Sequence, residues 1–226
     1  MRDAAAPRRD GRSGAPYWLG VAGFAVLANL GYGTAAQTHL GLSAGTATLV
    51  LLVEVCCRHI NLRLFELRGG SARLAQLPDV VQKTLLRLRS PFVERTGVAL
   101  NVGGALIPIA FAVFALSNEP INLATLLSVA CIVAFAMEAL RRWGQTSVRI
   151  LFVLVPPAIA LVLGGIIAPE HRAILMHVCG LAGILMGVDL LHIRDVRNIG
   201  IAEINIGAGR AFDAIFVNQM ISLLVN

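Results

Sequence analysis

Hydrophobic residues in this chain gather into long runs, separated by short polar connections that are often basic. Runs near the roughly 20 residues needed to cross a bilayer as a helix fall at about 17–36, 40–57, 97–117, 121–140, 148–168, 173–193 and 204–225. This spacing predicts seven transmembrane helices in an all-α, polytopic membrane bundle. The longest polar interval, about 59–96, still carries leucines. Within it Asp79 follows Pro78, and Val80, Val81, Thr84, Leu85 and Leu88 recur on one face. That pattern predicts an amphipathic helix lying on the membrane surface. The expected organisation is a flexible basic tail at 1–16 and one helical domain at 17–226, with the amphipathic connection inside it.

Composition agrees with the pattern. Hydrophobic residues make up 57% of the chain and charged residues 14%, against the roughly 25% charge of soluble domains. The net charge of +6 is distributed by side of the membrane. The segment before the first run and the second, fourth and sixth connections together hold seventeen of the nineteen Lys and Arg residues, leaving only Arg172 and Arg210 elsewhere. By the positive-inside rule the N-terminus is expected in the cytoplasm and the C-terminus outside, in an inner (cytoplasmic) membrane. The basic charge then reports topology and contact with the lipid bilayer, and excludes nucleic acid as a partner. A signal peptide is an alternative reading of residues 1–36, from the basic start, the core WLGVAGFAVLANL and the small residues GTAA. The apolar run continues past the usual cleavage distance, so an uncleaved first helix is expected.

Cys56, Cys57, Cys131 and Cys179 fall within or at the ends of apolar runs and read as reduced packing residues. Cys56, Cys57 and His59 sit together, yet no second cluster completes a metal site. No cofactor is expected. No nucleophile elbow, phosphate loop or dinucleotide fingerprint is present.

The candidate chemistry lies in acids placed in hydrocarbon. Asp189 in MGVDLL and Asp213 in GRAFDAIF would each cost roughly 2.5–3.5 kcal/mol to insert, which makes them functional-site candidates. They lie on successive runs of opposite direction, each near Arg194 or Arg210. If they meet, they share a proton, one acting as general base toward water and the other as acid toward a carbonyl. The alternative is structural ion pairs, Asp213 with Arg210 and Asp189 with Arg194. A second functional class is ion- or proton-coupled transport of a small solute. Asn101, Gly103, Gly104 and Pro108 in NVGGALIP, with Gly207 and Gly209 before Asp213, would break helices and expose carbonyls to a substrate or ion. The plainer reading of these glycines is close helix packing. NVGGALIP has no visible counterpart in the other half of the chain. Glu54 and Glu138 are expected to pair with Arg58 and with Arg141 and Arg142. His177 is expected to be a packed neutral residue, and His192 to lie one turn beyond Asp189, where it can tune that acid.

HINLRL at 59–64, TGVALNVGGALIP at 96–108, GVDLLHIRD at 187–195 and INIGAGRAFDAIF at 204–216 resemble the multi-pass membrane proteins grouped as domain of unknown function (DUF) 1614. That resemblance implies relatives without implying a reaction. The order of an acid on one run, then a glycine-rich turn and a second acid on the next, looks like the intramembrane aspartyl proteases presenilin, signal peptide peptidase and prepilin peptidase. There the second acid follows GxGD, whereas here GAG at 207–209 precedes Asp213 by three intervening residues. This likeness implies a membrane-embedded peptide as substrate. A non-catalytic membrane scaffold is the remaining alternative.

Overall fold

The computed structural model describes residues 14–68, 95–142, 149–193 and 203–225. The surface helix expected from Asp79, most of the basic tail, and Arg194 lie outside them. Helix α1 (Ala15–Asn29) starts with a proline in its first turn, where the missing N–H costs nothing. It is followed by α2 (Thr34–His39) and α3 (Ala44–Cys57), the latter opened by a Ser43–Thr46 capping box. Strands β1 (Asn61–Arg68) and β2 (Arg95–Asn101) come next, then a π-helical turn (Val102–Leu106) and α4 (Ile107–Asn118). Helices α5 (Leu123–Arg142), α6 (Arg149–Ile167) and α7 (Arg172–Ile184) follow. The chain continues from α7 through a π turn (Leu185–Asp189) and a 3₁₀ turn (Leu190–His192). Strand β3 (Glu203–Ile206) and α8 (Arg210–Ser222) complete the order.

The protein is mostly helical, but it is not all-α. Three helical stretches are long and apolar enough to cross a membrane: Leu123–Arg142, Ile150–Ile167 and Pro169–His192. Ala44–Cys57 and Val102–Asn118 are apolar but shorter. The expected seven uniform helices are not seen, because the runs at 97–117 and 204–225 each begin as a strand. The three strands form one sheet in the order β1-β2-β3, with β1 antiparallel and β2 parallel to its neighbour β3. The physical reason is a period of two inside the apolar runs. In β2 Thr96, Val98 and Leu100 alternate with the small residues Gly97 and Ala99, and in β3 Ile204 and Ile206 flank Asn205. A short apolar strand and a buried helical segment cannot be told apart by hydropathy.

Helix α7 is the centre of the bundle. Its spanning window is 61% buried, against 28% for the α5 and α6 windows, so α5 and α6 present large apolar side chains such as Leu127, Phe135, Leu154 and Ile166 outward. Small residues let the neighbours approach. A side chain at Gly180 would strike Asn218 of α8, and one at Gly183 or Gly187 would strike Val133 or Ala134 of α5. This is the close-approach role of small residues in membrane helices.

Two polar clusters tie the connections together. At the end remote from the sheet, His39 Nδ1 and His171 Nδ1 lie 2.9 and 3.0 Å from the two oxygens of Glu119. Partial burial acts to raise the Glu119 carboxyl, but the bonds and charges of the two histidines outweigh it and hold the carboxyl below its ordinary value of 4.5. At the sheet end, Glu138 takes Arg141 Nε at 2.9 Å and Arg142 Nε at 2.6 Å, as expected, and also lies 2.6 Å from His192 Nε2.

Candidate functional site

The candidate residues gather where β2 and β3 end side by side. Gly97–Leu100 pair with Glu203–Ile206 in parallel register, so both chains leave the sheet at the same place and turn into helices. At the first exit Asn101, fully buried, closes the turn. Its Oδ1 accepts the Gly104 N–H at 2.7 Å. Its Nδ2 donates to the Arg58 carbonyl at 2.7 Å and to Asn61 Oδ1 at 2.8 Å. The widened π turn that follows carries Gly103 against the backbone of Glu54 and Arg58, and Gly104 against the Gly207 carbonyl and the Phe212 ring. Any side chain on either glycine would overlap main chain. Pro108 is buried in the first turn of α4. Gly104 thus packs against the last apolar run. Asn101 and Gly103 instead serve the end of α3 and the start of β1, because Asn101 faces the free carbonyls there.

At the second exit Gly207 and Gly209 take left-handed conformations, with φ of 79° and 61°, which glycine adopts without steric cost. The turn is closed from another element: the Gly207 N–H donates to Asp189 Oδ2 at 2.7 Å. Asp189 sits in the π turn that ends α7, and its other oxygen makes no hydrogen bond among the described residues. Asp213 lies in the first turn of α8, its N–H bonded to the Gly209 carbonyl at 3.2 Å. Its carboxylate accepts the Tyr17 hydroxyl of α1. The Arg58 guanidinium lies 4.8 Å above the Tyr17 ring, and the same ring packs edge-on against Phe212 and Phe216. The two acids thus belong to one end of the bundle but to different partners.

Their relative depth follows from the antiparallel register of α7 and α8. Asn218 Nδ2 donates to the Met176 carbonyl at 3.1 Å, while Gly207 lies at Asp189. Asp213 therefore comes opposite about residues 181–183. That is six to eight residues from Asp189 along α7, roughly 9–12 Å at about 1.5 Å per residue.

Two features escaped the sequence pattern. Tyr17 as the partner of Asp213 carries no local signal, since the two are brought together only by the tertiary fold. Glu54 does not pair with Arg58, which sits over Tyr17 and donates Nε to His59 Nε2 at 2.8 Å. Glu54 is wholly buried and faces Gln219 of α8. His177 is buried as expected, its ring 4.5 Å from that of Phe111.

A family model described as "Protein of unknown function (DUF1614)" matches residues 55–225, which includes both strand exits, Asp189 and Asp213. No curated protein matches the chain, and no solved structure does.

Proposed function

We propose that this chain, which belongs to the DUF1614 family, is an intramembrane aspartyl hydrolase that cleaves membrane-embedded peptides with Asp189 and Asp213. The observation that carries this reading is the second strand exit, where a carboxylate from the π turn after α7 caps a glycine turn with one oxygen, its other oxygen making no hydrogen bond among the described residues. The second acid follows on the outgoing helix. An acid in an apolar span costs roughly 2.5–3.5 kcal/mol, and a neutral amide performs the same capping task at Asn101. Retaining a carboxylate at this position therefore argues for chemistry. Among the described residues no strand pairs with the outer edge of β3, which leads directly to Gly207. An extended peptide laid along such an edge gains main-chain hydrogen bonds.

In this mechanism one carboxylate takes a proton from water as the oxygen attacks the scissile carbonyl, and the other donates a proton to the carbonyl oxygen. The tetrahedral intermediate then releases the amine, which takes the proton held by the first carboxyl group, while a hydroxyl proton of the intermediate returns to the second. The axial offset of the two acids, roughly 9–12 Å, lies at or beyond the upper end of the roughly 5–10 Å over which paired carboxyl groups cooperate in hydrolases. Substrate binding must therefore draw them together by a few ångströms. Gly103, Gly104, Pro108, Gly207 and Gly209 act as the frame that allows the two exits to abut, and Asn101 fixes the first of them.

A peptide mimic carrying a hydroxyl in place of the scissile carbonyl tests the reading. Wild type should bind it at least ten times more tightly than Asp189→Asn or Asp213→Asn, with both variants still folded. Equal binding by all three removes the proposal. For topology we propose seven passes in an inner membrane, the N-terminus inside and the C-terminus outside, on the strength of the uneven distribution of basic residues. A reporter fused after Asn226 should read as external; a cytoplasmic reading contradicts this orientation. Ion-coupled transport is the second reading, favoured by one observation, the buried acid on α3.

A further inference from the structure

Glu54 lies one helical turn inward from Arg58, yet forms no ion pair among the described residues. It is 0% exposed, as is Gln219, which it faces from α3 across to α8. Apart from this contact between the two side chains, neither Glu54 oxygen nor either polar atom of the Gln219 amide reaches a hydrogen-bond partner among the described residues. Nearby on α8, Asn218 is 1% exposed and its Oδ1 is likewise unpaired. Buried polar atoms are satisfied in the great majority of cases, and an exception calls for an explanation such as a water or an ion. Within an apolar bundle the demand is stronger, because the surroundings offer no water to substitute.

The chemistry of the orphaned atoms selects the occupant. Glu54 supplies two acceptor oxygens and Gln219 one, against a single donor group, the Gln219 amide nitrogen. A site with an excess of acceptors and one carboxyl group, negative when ionised, suits a cation that accepts oxygen lone pairs. One carboxylate balances a single positive charge, so a monovalent ion fits the charge and a divalent ion does not. Arg58 cannot serve as the internal counter-charge while it is held over the Tyr17 ring and against His59.

We propose that Glu54 and Gln219 form a binding site for one small monovalent metal cation, of the sodium or potassium class, between α3 and α8. The site is separate from the Asp189–Asp213 pair and stands whether or not that pair is catalytic. Its occupancy joins α3 to the helix that carries Asp213, since Gln219 lies nearly two turns along α8 from that acid.

The test is thermal unfolding of the full chain in detergent, at constant ionic strength and pH, with sodium or potassium chloride replacing choline chloride. Wild type should gain melting temperature in a saturable way with either metal ion. Glu54→Gln, which keeps the shape and removes the charge, should lose that response while retaining its helical circular dichroism. Gln219→Leu should shift the midpoint of the response at least tenfold upward in ion concentration. Absence of any ion-specific gain in wild type overturns the proposal, as does an undiminished gain in both variants. Stabilisation by acid with no response to either metal ion identifies a proton-only site and also overturns it. If Glu54→Gln fails to fold, Gln219→Leu decides by the same readout.

Discussion

β2 and β3 run parallel, and each passes through a glycine turn into a helix, but the two turns are closed by different chemistry. At the first, Asn101 caps Gly104 from within its own turn and spends its remaining donors on the end of α3 and the start of β1. At the second, the cap on Gly207 comes from Asp189, nearly twenty residues earlier in the chain and on another element. The first cap is neutral and fully engaged. The second is a carboxyl group with one oxygen free of hydrogen bonds among the described residues, in a region where charge is costly. A fold that needed only to close the turn would use the cheaper group at both places. The contrast separates a structural turn from one that holds a reactive group in position.

The largest effect should come from the contact the two turns share. Gly104→Val introduces a side chain into the space held by the Gly207 carbonyl. It should destabilise by about 3 kcal/mol or more, since main chain cannot step aside as a flexible side chain can. Gly165→Ala on α6, where a Cβ meets nothing, should leave the melting temperature within a few degrees of wild type. Comparable losses in the two variants would show that the abutting turns have no special standing.

The caps themselves should differ by a smaller margin. Asn101→Ala leaves the Gly104 N–H and the Arg58 carbonyl without that partner, at a cost of about 1–3 kcal/mol. Asp189→Asn keeps an oxygen for the Gly207 N–H and should cost less than about 1 kcal/mol. Thermal melts of both variants measure the difference. A larger loss in Asp189→Asn would mean that the charge itself is structural, which removes the distinction between the turns.

The smallest effect is expected far from both, at Glu119. Its carboxyl is held below the ordinary value of 4.5, so its contribution to stability is present above that pH and is lost as pH falls through the folded-state value. Wild type should therefore lose stability on acidification below about pH 4.5 more steeply than Glu119→Gln. The cluster is partly exposed, and surface pairs of this kind are weak. Coincident melting curves in acid would show that the two histidines add nothing to stability.

Much of this arrangement was legible in the sequence, but unevenly. The long apolar runs at 121–140, 148–168 and 173–193 appear as helices, each long enough to cross a bilayer. Glu138 pairs with Arg141 and Arg142 because residues three and four apart face one another on a helix. The runs containing β2 and β3 are ambiguous in sequence, since four to seven residues of this kind satisfy a strand or a helix equally well. NVGGALIP does have a spatial counterpart, the GAG turn beside it, which was hidden because the likeness lies in backbone path and not in residue identity. The same local rule that succeeds at Glu138 pairs Glu54 with Arg58. The rule fails there because Tyr17, from α1, and the neighbouring His59 hold the arginine.

The central claim is that the charged turn is reactive. Full-length protein reconstituted in vesicles with a labelled single-span peptide measures this directly, by the appearance of a new peptide N-terminus. Wild type should cleave the peptide, while Asp189→Asn and Asp213→Asn should each reduce cleavage at least a hundredfold and Asn101→Asp should not abolish it. Cleavage that persists in either aspartate variant, or no cleavage by wild type of any spanning peptide presented, would contradict the account.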